Sequence, residues 1–200
     1  MLDKIPTLKN LLHQLQQVPF LASKNIYKVA SYFLDMETAK VDQFCKVLQN
    51  AKQKLVRCQI CFVWIEREAL CMFCQSADRE QDVVCVVESW HDMLSVERAQ
   101  TYKGVYHILG GVISPLEGIR AEHLTIAQLL QRCGAVKEII IALGQTPQGD
   151  VTSTFIVQQI QKEYPHVLIT SLARGVPVGA SLEFIDRLTL TKAMHERRPW

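Results

Sequence analysis

Four of the seven cysteines in this 200-residue chain fall in one stretch, CQICFVWIEREALCMFC, at residues 58–74. They form two Cys-x-x-Cys pairs, Cys58/Cys61 and Cys71/Cys74, separated by residues 62–70. Each pair can turn both sulfurs inward with backbone N–H groups behind them, so the four thiolates suit one tetrahedral ion. Soft thiolate ligands select zinc, and a site filled by four of them has no open position for substrate. The expected role of one Zn2+ per chain is therefore structural. A redox pair needs its Cys-x-x-Cys at the start of a helix that follows a strand, and neither pair has that context. Disulfides are disfavoured by the odd cysteine count and by a start, MLDKIPTLKNLLHQ, that lacks the apolar core of a secretory leader. Both features lead us to expect a protein kept in the reducing cytoplasm. The stretch reads as a small insert with no core of its own, held together by the ion instead. The remaining cysteines, Cys45, Cys85 and Cys133, sit among apolar neighbours and are expected to be small buried hydrophobes.

A second group of residues raises phosphoryl chemistry. Glu88, Asp92 and Glu97 follow the apolar run VVCVV, and Asp150 closes the loop GQTPQGD. Acids at such places could hold Mg2+. That chemistry normally requires two neighbouring carboxylates on the later loop, where this chain has the neutral Gln145 and Gln148 and only Asp150 is charged. The expected reading is non-catalytic, with Glu88 capping a helix and Asp150 in a solvated turn. No nucleophile stands out: Ser114 lacks an elbow motif, His107 lies within a strand pattern, and Gly110–Gly111 marks a tight turn rather than a dinucleotide fingerprint.

The elements that must carry these residues follow from hydrophobic spacing. Leu8, Leu11, Leu12 and Leu15 repeat with helical period, as do Ile26, Val29, Ala30, Phe33 and Leu34, and then Val41, Phe44, Cys45, Leu48 and Leu55. Three amphipathic helices thus fill residues 1–57. These residues contain 9 Lys/Arg and 4 Asp/Glu, or +5, whereas the remainder of the chain carries 13 and 16, or −3. A basic module followed by a mildly acidic one suggests that the first part meets something anionic. From residue 82 the pattern alternates: apolar strands at 83–87, 105–109, 138–143 and 167–172, with helices at about 91–99, 122–132 and 151–163. This is the signature of an α/β fold whose parallel sheet is covered on both faces, with working residues at the carboxyl ends of its strands. No apolar run approaches the roughly 20 residues of a membrane span.

Four longer motifs, VVESWHDMLSVE (86–97), YHILGGVISPLEGI (106–119), GVPVGASLEFID (175–186) and LTLTKAMHERR (188–198), resemble the bacterial RecR family of recombination mediators along nearly the whole chain. The resemblance implies a helix-hairpin-helix-like DNA-binding module at 1–57, a C4-type zinc finger at 58–74 and a Toprim-like parallel α/β domain at 81–176. A carboxy-terminal segment at 177–200 would pack on that domain or on a neighbouring subunit. It further implies a non-enzymatic, nucleoid-associated repair protein that works with RecO-like and RecF-like partners to load recombinase on gapped or single-stranded DNA. The family assembles as a ring-shaped homo-oligomer, commonly a tetramer, that can encircle duplex. Lys24 and Lys28 fall where the family has basic residues for DNA, and Glu88, Asp92, Glu117 and Asp150 are candidate contacts for RecO-like partners.

The chain departs from the family at several places. Phe20 and Ala22 replace the glycines of the hairpin turn, Gln148 replaces a loop glutamate, and the spacer between cysteine pairs is slightly longer than usual. The altered loop keeps in view a Mg2+-dependent nuclease or primase-type enzyme on the same fold. The altered hairpin keeps in view a zinc-stabilised scaffold with little DNA affinity.

Overall fold

The computed structural model describes residues 4–173 and 175–197 and divides into two compact units, Met1–Leu55 and Val56–Trp200. Arg174 and residues 1–3 and 198–200 lie outside the described residues.

The first unit is helical. Helix α1 (Pro6–Gln16) opens on Pro6, whose missing N–H costs nothing in a first turn, and is followed by α2 (Ser23–Leu34) and α3 (Thr38–Lys54). The leucine stripe of α1 packs Leu12 against Ile26 and Ala30 of α2, with Leu8, Leu11, Leu15 and Leu21 around them. Helix α3 keeps the expected period but buries none of its residues, and Phe44, Val47 and Leu48 are at least half exposed. Cys45 lies on this open helix and is exposed, contrary to the expectation that it is buried. Helical spacing says which residues share a stripe but not whether anything covers it.

In the second unit, β1 (Leu55–Arg57) and β2 (Trp64–Glu66) form a small two-stranded sheet around the first cysteine pair. The main sheet contains β3 (Glu80–Val87), β4 (Gly104–Ile108), β5 (Glu138–Ala142) and β6 (Leu168–Ser171) in the order β4-β3-β5-β6, every pair parallel. Register places Cys85 opposite Tyr106 and Ile140, and Val86 opposite His107 and Ile141. Alternate residues therefore feed two cores. Val84, Val86, Val105, Ile139 and Ile141 face Leu129, Cys133, Ile156 and Ile160 of α5 (Ile126–Arg132), its following turn and α6 (Pro147–Glu163). Cys85, Val87, Tyr106 and Ile108 face Met93 of α4 (Trp90–Arg98) and the cysteine stretch. The chain ends in α7 (Arg187–His195). No helix among the described residues is long and apolar enough to cross a membrane.

Helix α6 begins at Pro147, earlier than periodicity suggested, because polar chemistry rather than apolar spacing starts it. Thr146 accepts the Gly149 N–H at 3.1 Å, and Pro147 supplies a preset first turn. Gly149 is required there, since a Cβ would lie 1.9 Å from the Gly144 carbonyl oxygen. Gly149→Ala should therefore cost about 3 kcal/mol through forced displacement of the β5–α6 turn. Urea unfolding followed by circular dichroism checks this.

Candidate functional site

The four cysteines of residues 58–74 converge. Their sulfurs all lie within 4.8 Å of one another, with Cys58 Sγ 4.0 Å from Cys74 Sγ and Cys61 Sγ 3.5 Å from Cys71 Sγ. A tetrahedron with metal–sulfur bonds of about 2.3 Å has edges of about 3.8 Å, so the arrangement fits a four-thiolate site. Both Cys-x-x-Cys turns aim backbone N–H groups at sulfur. Ile60 N–H lies 3.4 Å from Cys58 Sγ, joined by Cys61 N–H, while Phe73 and Cys74 N–H groups face Cys71. The four thiols do not ionise together by themselves. Cys61 is pushed up by the adjoining Cys74 sulfur and then by burial, and burial raises Cys71. Burial pushes Cys58 up as well, but the backbone N–H groups of Cys61 and Ile60 and hydrogen bonds with Cys61 and Cys71 outweigh it and lower it. Four sulfurs this close cannot all ionise unless a positive ion sits among them.

The stretch is not the coreless insert its length suggested. Cys58, Cys61, Val63, Cys71 and Phe73 are buried in the same core as Cys85, Val87, Met93, Tyr106 and Ile108. The Ile108 N–H donates to the Cys61 carbonyl at 3.0 Å, which ties the first cysteine pair to the end of β4. Arg79 joins the parts at the other side. Its guanidinium stacks 4.7 Å over the Phe73 ring, pairs with Glu97 of α4 and donates to the Gly104 carbonyl at 3.1 Å. Tyr106 donates to the same Glu97 at 2.7 Å. Burial pushes the Glu97 carboxyl up, but these donors outweigh it and hold it below the usual carboxylate range.

The strand-end acids have varied surroundings. Glu88 is half-buried after β3, and its pKa rises through burial and the nearby Asp92 carboxylate. The cap of α4 is Ser89, not Glu88 as expected. Ser89 accepts from Asp92 N–H, while Asp92 accepts the Ser89 N–H at 2.9 Å and its hydroxyl at 2.7 Å. Asp150 stands in the first turn of α6 rather than in a free loop, and Glu117 stands exposed after Pro115. Among the described residues the cysteines form the group of three or more metal-ligating side chains brought together, and Glu88, Asp92 and Asp150 form no such group. His107 is fully buried. Its Nε2 lies 3.0 Å from the Thr125 carbonyl, which can only accept, so Nε2 carries the proton, and burial lowers its pKa to about 4.

In the helical unit, Lys24 and Lys28 are exposed one turn apart on α2. No ion pair given by the described residues involves either one. The turn before α2 runs Val18-Pro19-Phe20-Leu21, closed by Leu21 N–H donating to the Val18 carbonyl at 3.3 Å. Proline at its second position and a left-handed third position mark a type II geometry that favours glycine third. Phe20 occupies that place with φ 66° and is fully exposed, at 105%. Ala22, the other residue standing at a family glycine, has φ −56° and needs no glycine. The glycine expected at position 20 is what the resemblance implies, whereas the left-handed backbone of Phe20 emerges only from the structure.

Comparisons with known proteins agree along the chain. Residues 82–173 match the Toprim domain family, and residues 175–198 match the family described as RecR, C-terminal. The chain is 35% identical over 195 residues to the recombination protein RecR of Synechocystis sp., covering 96% of this chain and 82% of that one. It is 38% identical over 192 residues to RecR of Saccharopolyspora erythraea, covering 95% and 96%. Against RecR of Chlorobium phaeovibrioides it is 40% identical over 187 residues, covering 90% and 91%.

Proposed function

The chain belongs to the RecR family of recombination proteins, and on that basis we propose a non-enzymatic DNA-binding mediator of recombinational repair. It acts in the cytoplasm at the nucleoid, with RecO-like and RecF-like partners, to load recombinase on gapped or single-stranded DNA. The observation that carries the reading is the exposed cationic face of α2, where Lys24 and Lys28 project from a module of net charge +5. Contacts of this type neutralise phosphate without reading sequence. The open apolar side of α3 supports assembly into a ring-shaped homo-oligomer, since Phe44, Val47 and Leu48 are left uncovered in one chain. Of the four acids proposed to meet a RecO-like partner, Glu117 is exposed, whereas the Asp92 carboxylate is engaged in capping α4. The neutral Gln145 and Gln148 beside Asp150 favour this docking role over a Mg2+ enzyme.

Zinc is the metal we assign to Cys58, Cys61, Cys71 and Cys74, in a structural role, because four thiolates suit it and close the site. Freshly purified, reduced protein should contain about one Zn2+ per chain by elemental analysis. Cys58→Ser or Cys74→Ser should lose the metal and aggregate, since the ion supplies folding energy to a core shared with the sheet. Zinc-free protein that remains folded overturns the assignment.

With Mg2+ or Mn2+ the protein should neither cleave nor extend DNA. Cleavage that Glu88→Gln abolishes would replace the mediator reading with the enzyme.

If α2 contacts phosphate, log K should fall linearly with log salt. Lys28→Glu should weaken binding to all DNA sequences alike and flatten the slope by about one unit per lost contact. A folded Lys24→Glu/Lys28→Glu protein with unchanged affinity and slope would remove the helical module as the DNA contact and support the low-affinity scaffold.

A further inference from the structure

Three non-glycine residues of the described chain hold a left-handed backbone: Phe20 at φ 66°, Phe62 at 62° and Gln100 at 55°. Two of them have local reasons. Gln100 follows α4 and closes its carboxyl end, donating its N–H to the Glu97 carbonyl at 3.1 Å. Phe62 closes the first cysteine turn and rests its ring edge-on to buried His107, with centroids 5.3 Å apart. Phe20 has only the hydrogen bond from Leu21 N–H to the Val18 carbonyl that closes its turn, and no packing for its ring. An aromatic residue is disfavoured in this conformation, and its ring is given wholly to solvent at the tip of the turn that leads into α2. Strain and exposure at one residue, in a module with a small core, point to a contact made outside the chain.

The surroundings define the chemistry of that contact. Lys24 lies four residues beyond Phe20, Lys28 one turn further, and Tyr27 is 60% exposed on the same side of α2. Rings alternating with cations are what a nucleic-acid single strand requires, because bases stack on the rings while phosphates meet the cations. A paired duplex hides its base faces and offers only edges and backbone, so an exposed ring gains most from an unpaired base. We propose that Phe20 is a stacking platform for an unpaired DNA base, with Lys24 and Lys28 holding the adjoining phosphates. This rests on the reading of α2 as the DNA contact and adds to it a preference for unpaired bases. It also gives the residue that replaces a turn glycine a role of its own. Close approach of backbone to phosphate is exchanged for stacking.

The test compares two ligands on the full chain: a thymidine oligonucleotide and a strand of equal length built of abasic tetrahydrofuran units. The readout is the dissociation constant of the abasic strand divided by that of the thymidine oligonucleotide, which cancels the phosphate contribution. Removing one base–aromatic stack should lower affinity about 5- to 100-fold. Phe20→Ala and Phe20→Gly should therefore lower the ratio by about that factor, and Phe20→Trp should keep it. The salt slope should be unchanged in all three, and binding to blunt duplex should fall much less. Phe20→Gly should also raise the melting temperature, since glycine is at ease at φ 66°, which confirms that the module is folded when its base preference is lost. An unchanged ratio in Phe20→Ala, while Lys24→Glu/Lys28→Glu weakens binding, overturns the stacking role and leaves the DNA reading intact. Equal losses on duplex and single strand in Phe20→Ala also overturn it, in favour of a wedge between paired bases. If the double lysine variant binds as well as the parent, the underlying DNA reading fails and the proposal with it.

Discussion

A parallel sheet has two apolar faces, and in this protein the second is covered in part by the cysteine stretch. One face receives α5 and α6, which bring Leu129, Ile156 and Ile160 against Val84, Val86 and Ile139. The other has α4, a helix of nine residues that buries Met93 alone. Such a helix cannot shield Cys85, Val87, Tyr106 and Ile108, and the cysteine turns complete the cover with Cys61, Val63 and Phe73. The thiols therefore converge on one another and also pack against the sheet. A cage that loses its shape strips that face as well as freeing four ligands, so the stability of β3 and β4 is linked to the chemistry at residues 58–74.

The same economy governs the acids at the strand ends. Asp92 is engaged in the capping box of α4, and Asp150 has become part of the first turn of α6. Glu88 remains half-buried, with its pKa raised by burial first and Asp92 second. A carboxyl in that situation gives up its charge more readily than a ligand for a hard cation should, since such ions are held by ionised oxygen. The loop that would supply the companion acids begins with Gly144 and Gln145 and reaches charge only at Asp150. Helix initiation at Thr146 and Pro147 occupies this place in the chain.

Much of this was legible in the residues. Near-continuous β-branched runs announced four parallel strands, and paired Cys-x-x-Cys spacing announced the cluster, because both patterns are local. What escaped depended on partners distant in sequence. Phe73 and Val63 read as residues of a coreless hairpin until the sheet was placed beneath them. Cys45 read as buried since its stripe is apolar, but no described residue of the chain buries it. The start of α6 was missed because Thr146 and Pro147 set it through a side-chain cap, which leaves no trace in hydrophobic period. Position 20 was visible only as a missing glycine, while its backbone geometry was not.

The helical unit presents modest single sites. Its core is three buried residues, Leu12, Ile26 and Ala30, and its cationic face presents two lysines on one helix. On the proposed reading, each exposed lysine–phosphate contact is screened over roughly 8 Å at physiological salt, so a single module would hold DNA weakly. When several modules are tied into one ring, a strand released by one of them remains at high effective concentration for the next. A mediator that loads another protein onto DNA, as proposed, would need a grip of this kind, firm across the assembly and yielding at each point. A turn that carries a fully exposed ring, with cations one and two turns further along α2, fits that demand better than a deep pocket would. A shallow contact can be exchanged for an incoming protein without first being dismantled.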